Sequence, residues 1–378
     1  MPAETPAETP AETPASSLAD QVRAAWRTCD VAISGRPTGS PAQVLADLAR
    51  ACEELGVDAW DGYAERGPVA RLEGDLVGRL EVEAAAWFPS GVMAQQAALR
   101  VHCDRAGTRR VAMPDLSHLL VHEEDGPRLL HGLEVEHLTR GFQAPTAADL
   151  ERVPGRLGAV LVELPLREAG CLLPTWEELV ELSVAFRERG VALHLDGARI
   201  WESQPWFDRP LADLAALADT TYVSFYKGLG GLAGAALLGP ADVVAEARSW
   251  RRRMGGTLYR STAEAVSALA GLRHELPRIP DTVAWAQALA AALPDGFSVQ
   301  PAVPQTNQFL LFASGGADEV NARTLAYVEE HRVGLPAWSA TTDPCRVTTE
   351  IAVSSAALSL DPAAMAEILA QVVLSPRA

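Results

Sequence analysis

The sequence predicts an α/β fold in which a mainly parallel sheet is covered by helices on both faces, and three stretches carry that prediction. The first is "RLGAVLVEL" (Arg156 to Leu164), an apolar run that leads through a Pro/Gly-containing loop into "PTWEELVELSVAFRERG". There Thr175 and Glu178 form a capping box and Gly190 supplies a helix stop. The second is "VALHLD" (Val191 to Asp196), where the chain turns apolar again, so the unit reads strand, helix, strand: a parallel pair with a right-handed crossover. The third is the continuation, a helix "PLADLAALAD", an apolar run "TTYVSF" and, after a glycine loop, "AGAALLG". Such alternation builds a sheet whose strand ends are the place for ligands.

Length and composition set the limits. At 378 residues the chain is long enough for roughly two domains. With 48% hydrophobic and 21% charged residues it reads as soluble and globular. A net charge of -17 would repel phosphate backbones and anionic lipid surfaces, so neither nucleic acid nor membrane is expected as a partner. The five cysteines are scattered and form no C-x-x-C pair, as in a reduced, cytoplasmic protein without a zinc knuckle. The opening "MPAETPAETPAETPASS" repeats AETP three times and lacks the charged start and apolar core of a signal peptide. Residues 1–17 are therefore expected to be a disordered tail, and no apolar run is long enough to span a bilayer.

Chemistry concentrates around Lys227, in "DTTYVSFYKGLGGLAGAALLGP". It could be a solvated loop lysine, the default for the residue type. It could also belong to a dinucleotide turn, since Gly228, Gly230 and Ala233 satisfy G-x-G-x-x-A, but such a turn opens a helix and the following run looks like a strand. Or it could form a Schiff base with an aldehyde cofactor, a task suited to a lysine at a strand end with glycines permitting close backbone approach. "LHLDGARIWE" places Asp196 at the end of the neighbouring strand with Arg199 three residues on. A buried carboxylate is what keeps the pyridine nitrogen of pyridoxal 5'-phosphate (PLP) protonated, although an aspartate there could also be a plain helix cap. In "WFPSGVMAQQAALRVHCD", Ser90 starts a helix with Gly91 and Val92 in its first turn, and the free N–H groups form a phosphate cradle.

Together "PSGVMAQQ", "SHLLVHEEDG", "HLDGAR" and "SFYKGLGG", in that order, resemble the PLP-dependent threonine aldolase and β-eliminating lyase family, of aspartate aminotransferase fold (fold type I). "DGYAERGPVARLE" and "TNQFLLF" extend the likeness over nearly all of the chain after the tail. The resemblance implies that Lys227 carries PLP, that Asp196 partners its ring nitrogen and that Arg199 lies near its phenolic oxygen. It implies Ser90, Gly91 and Val92 at the phosphate, and His118 stacked on the ring as a base or proton relay. Tyr63 and Glu123 fall at active-site positions, and Arg346, in "PCRVTTE", at the arginine that grips the substrate carboxylate. It further implies a large domain over 46–280, a smaller α+β domain over 281–378 that the segment 18–45 can join, and a homodimer or homotetramer. The activity implied is cleavage of the Cα–Cβ bond of a β-hydroxy-α-amino acid to glycine and an aldehyde. A β-elimination or racemisation on another amino acid, and a non-catalytic or NAD-binding protein of similar appearance, are the alternatives.

Three departures bear on the substrate. Val92 replaces the usual threonine of the cradle, Tyr226 precedes the lysine, and "VELPLREAG" stands where many threonine aldolases carry E-N-T-H-N. The last brings Arg167 and Glu168 to the site, with Arg167 a candidate for the substrate. His118 and His122 would share a helical face like a metal pair, but no third ligand is evident and no metal is expected.

Overall fold

The computed structural model describes residues 17–26, 28–35 and 39–374; the AETP repeats, as far as residue 16, lie outside them. Seven strands make the main sheet: β1 (Ala84–Phe88), β2 (Arg110–Met113), β3 (Glu134–His137), β4 (Ala159–Glu163), β5 (Ala192–Gly197), β6 (Thr220–Ser224) and β7 (Ala235–Gly239). Their order is β1-β7-β6-β5-β4-β2-β3. The strands β2 to β6 pair in parallel, whereas β7 runs antiparallel to both β6 and β1. The reversal follows from chain length: a parallel return needs a crossover of about a dozen residues or more, and the stretch from Phe225 to Gly234 is too short to supply one.

Every residue of β4 and β6 is buried, as expected for strands covered on both faces. On one face Leu72, Leu76, Leu179, Phe186 and Trp201 pack together. On the other, α1 (Gly91–Ala106) lays Ala94, Ala97 and Val101 against Leu237 of β7. The crossover between β4 and β5 carries a helix, Trp176–Arg189, whose ends match the sequence reading. Thr175 Oγ1 accepts the Glu178 N–H at 3.2 Å, the Glu178 carboxylate accepts the Thr175 N–H at 2.8 Å, and Gly190 ends the helix at φ 67°.

A second, antiparallel sheet holds β8 (Phe297–Gln300), β9 (Gln308–Ser314), β10 (Ser339–Ala340) and β11 (Arg346–Ala352) in the order β10-β11-β9-β8. Its core joins Phe309, Leu311 and Ile351 to Val320 and Leu369 of the covering helices, and Cys29 and Ile33 of the N-terminal segment pack into it. The helix Ile279–Ala292 serves both cores: Ile279 and Val283 enter the first, Trp285 and Leu289 the second. Among the described residues no helix is long and apolar enough to cross a membrane.

Candidate active site

Parallel pairing in register brings the ends of β4, β5 and β6 to one edge, because Glu163 stands opposite Asp196 and Asp196 opposite Tyr222. The chain leaves β6 in a tight turn, with Gly230 N–H donating to the Lys227 carbonyl at 3.0 Å and Gly231 N–H to the Phe225 carbonyl at 2.7 Å. At Gly228 the backbone passes close to a buried carboxylate: an added Cβ would lie 2.1 Å from Glu202 Oε1 and would have to displace it. The turn holds Lys227 at the strand edge. Burial lowers the pKa of its amine, and the neighbouring Arg199 charge lowers it further while Asp196 opposes. A desolvated amine beside another cation has more of the neutral, nucleophilic form.

Asp196 is buried and its Oδ1 accepts the Ala198 N–H at 2.9 Å. Burial raises its pKa; Lys227, the Ala198 N–H, Gln95 and Arg199 act in the opposite sense. At the start of α1, Ser90 is the N-cap and its Oγ accepts the Met93 N–H at 3.2 Å. Gly91 follows with the Tyr222 hydroxyl packed so closely that a Cβ would lie 2.0 Å from it. Val92 lines the pocket beside Lys227 with Gln95, His118, Asp196 and Arg199.

His118 opens a short helix, α2 (His118–Val121), and its backbone N–H donates to Glu163 Oε1 at 2.6 Å. The Glu123 carboxylate stands 3.1 Å from His118 Nδ1, near enough for an ion contact but not aligned as a hydrogen bond. Burial lowers the pKa of His118 to about 4, with the Lys227 charge next in effect. Its ring lies 4.9 Å from that of His122. His122 contacts Glu168 at 2.8 Å, which receives Arg167 at 2.6 Å, and Arg167 reaches Glu350 of β11 at 2.9 Å. Arg167 lines the pocket, but its guanidinium is paired twice. Arg199 lines it too, and among the described residues no carboxylate lies within ion-pair distance of it.

Two expected residues are not gathered here. Arg346 begins β11, is exposed, and donates to Ser298 Oγ at 2.6 Å while lying over the Phe312 ring. It is four residues before Glu350, about 13 Å along an extended strand, and it is Glu350 that faces Arg167. Arg346 therefore stands apart from the residues that line the pocket around Lys227 in this chain. Tyr63 is exposed, adopts φ 55° and packs edge-on against Tyr259 at 5.3 Å, outside the Lys227 pocket. Conversely, Glu163 and Glu202, which line the space around Lys227, went unread. The signal for Glu163 was its place as the one ionisable residue in "AVLVE".

The residues present fit PLP. Around Lys227 the buried Gln95 Oε1, His118 Nδ1 and Glu202 Oε2 have no hydrogen-bond partner, an unmet polar set that a polar cofactor would use. Lys227 would receive its aldehyde, Asp196 its ring nitrogen, the N–H groups of Gly91 and Val92 its phosphate, and His118 its ring face. The family model for β-eliminating lyases matches residues 42–315. The chain belongs to the β-eliminating lyase family. It is a PLP-dependent enzyme of fold type I. The β-eliminating lyase chain is 24% identical over 315 residues to low-specificity L-threonine aldolase 1 of Arabidopsis thaliana, covering 79% of the chain and 85% of that protein. A solved structure described as a candidate L-allo-threonine aldolase, from Listeria monocytogenes, superposes with a TM-score of 0.87 at 32% identity, covering 94% of this chain and 99% of that one. A structure from Exiguobacterium described as a candidate aromatic amino acid β-eliminating lyase/threonine aldolase gives 0.87 at 34% identity, with the same coverage.

Proposed function

We propose that this lyase cleaves the Cα–Cβ bond of a β-hydroxy-α-amino acid, releasing glycine and an aldehyde. The observation that carries the reading is the meeting of Lys227, Asp196 and His118 at the ends of adjacent strands beside an otherwise unpaired guanidinium. PLP, when bound, supplies an electron sink conjugated to Cα. Asp196, its carboxylate fixed by the Ala198 N–H, would keep the ring nitrogen protonated. His118, kept neutral by burial, is able to accept the β-hydroxyl proton. Arg199, which lines the pocket, would take the substrate carboxylate in a bidentate grip. Held there, the carboxylate would fix how the substrate stands over the cofactor, and His118 beside the β-hydroxyl would favour the Cα–Cβ bond as the one that breaks.

The reading includes a homo-oligomer in the cytoplasm, with domain boundaries near residues 46 and 280. Trp60, Tyr63 and Tyr259 form an exposed aromatic patch, and Arg260 stacks on Trp60 and Tyr259 at 5.0 and 4.9 Å. Such a patch suits a second copy of this chain, which would bring Tyr63 to the partner's site. The test is borohydride reduction of the PLP-loaded protein with peptide mapping, together with product analysis on L-threonine and L-allo-threonine. Label on Lys227 with glycine and aldehyde as products is expected. Label on another lysine, or pyruvate and ammonia without glycine, would overturn the reading.

A further inference from the structure

Two buried carboxyls lie side by side at the sheet edge, and the reaction uses only one of them. Glu163 and Asp196 are direct partners across the β4–β5 pair, so they sit on strands about 4.8 Å apart with side chains on the same face. Each is almost wholly buried. The Glu163 carboxyl accepts the backbone N–H of His118 at 2.6 Å. That bond has a structural reason: Ser117, the N-cap of α2, makes no capping hydrogen bond with its side chain, and Glu163 fills the vacancy from a neighbouring strand.

Two carboxylates this close and this dry cannot both be charged. Asp196 has the better claim to the charge, having the Ala198 N–H, Lys227, Gln95 and Arg199 around it. Facing Glu163 are Asp196 from β5, Lys227 from the loop after β6, and Ser117 and the His118 N–H from the start of α2. Burial and the Asp196 charge hold its carboxyl up at about 8. A neutral acid there meets two demands at once: its carbonyl oxygen still receives the His118 N–H, and no second negative charge competes with Asp196 for the ring nitrogen's proton.

We propose that Glu163 is a positioning residue which, as a neutral carboxylic acid, sets His118 in place and leaves Asp196 as the sole charge at the cofactor's ring nitrogen. The proposal rests on the assignment of Asp196 and His118 made above. It is tested with full-length, PLP-loaded Glu163→Gln and Glu163→Leu, read by kinetics, by the pH dependence of the visible band and by urea unfolding across pH. The amide keeps the acceptor and the neutrality, so Glu163→Gln retains kcat within about 3-fold, whereas Glu163→Leu loses about 10- to 100-fold in kcat with KM little changed, the cost of a misplaced His118. The folded-state pKa lies above the unfolded value, so the Glu163 contribution to stability is full below about 4.3 and is lost as pH rises to about 8. That decline, and any spectral change near pH 8, disappears in Glu163→Gln. A Gln variant as damaged as the Leu variant, or an unchanged pH slope of stability, overturns the proposal. The two readings fail separately: protein that binds no PLP sinks the functional assignment, while the stability slope depends only on the two carboxyls.

Discussion

Gly91→Ala is the most direct probe of how the cradle is built. The new Cβ would stand 2.0 Å from the Tyr222 hydroxyl, 2.4 Å from its Cζ and 2.8 Å from its Cε2, where a carbon contact normally needs about 3.5 Å. Tyr222 cannot retreat, since it is buried in a strand hydrogen-bonded on both sides. The first turn of α1 must then move by about 1 Å or more, and it is the N–H groups of that turn that, on the proposed reading, would hold the cofactor phosphate. Overpacking of this kind costs about 1–3 kcal/mol. If the cost falls on the bound state, PLP affinity drops by about one to two orders of magnitude, at 1.4 kcal/mol per tenfold. The assay is titration of cofactor-free protein with PLP followed by the visible band, beside a thermal unfolding curve of the same sample. The double variant Gly91→Ala/Tyr222→Leu, which removes the ring, should recover most of the affinity. A Gly91→Ala protein with unchanged PLP affinity and unchanged Tm would refute the account of the cradle.

Other expectations are more quickly stated. Asp196→Asn should keep PLP bound but lose most of its turnover, because a neutral amide cannot stabilise the protonated ring nitrogen; a kcat equal to that of the parent protein would remove Asp196 from its role. Arg346→Ala should leave KM within about 2-fold, its side chain being engaged with Ser298, whereas Arg199→Ala should raise KM by at least about 10-fold; the opposite ranking would restore Arg346 to the substrate. Acid should destabilise the fold as pH falls from about 6.5 to about 4. Burial lowers His102 to about 4 and His194 to about 3, so the unfolded chain takes protons that the folded one refuses. Each contributes on the order of 3 kcal/mol, and both converge on Thr220 Oγ1, at 2.9 and 2.8 Å. His194→Leu should flatten that slope in urea titrations; an unaltered slope counts against it.

Whatever depended on local chemistry was legible in the sequence. The capping box at Thr175 and Glu178, the helix start at Ser90, and the lysine between a β run and a glycine loop are short-range patterns with short-range causes. Glu163 was not legible, because its meaning comes from standing opposite Asp196 across a strand pair, a register that neither strand specifies alone. The position of Arg346 is likewise a matter of register. The β11 sequence carries alternation but not the end at which the strand meets the pocket, and that end belongs to Glu350. The antiparallel turn into β7 was decided by loop length, which apolar runs do not express.

Lys227 is strung between two strands that are hydrogen-bonded to each other, while the Arg167 loop spans the gap between two separately packed cores. The first arrangement is intolerant of length change: both strands are buried along their whole length and cannot slide, so an inserted residue would have to be taken up in the tight turn that sets Lys227. In the second the backbone is pinned by the Leu166–Leu172 bridge, but the ion pairs of Arg167 and Glu168 are side-chain contacts that can be exchanged without moving a strand. Variation that alters which side chain the enzyme accepts, natural or selected in a library, should accordingly collect at Arg167 and Glu168 and spare both the buried leucines beside them and the glycines after Lys227.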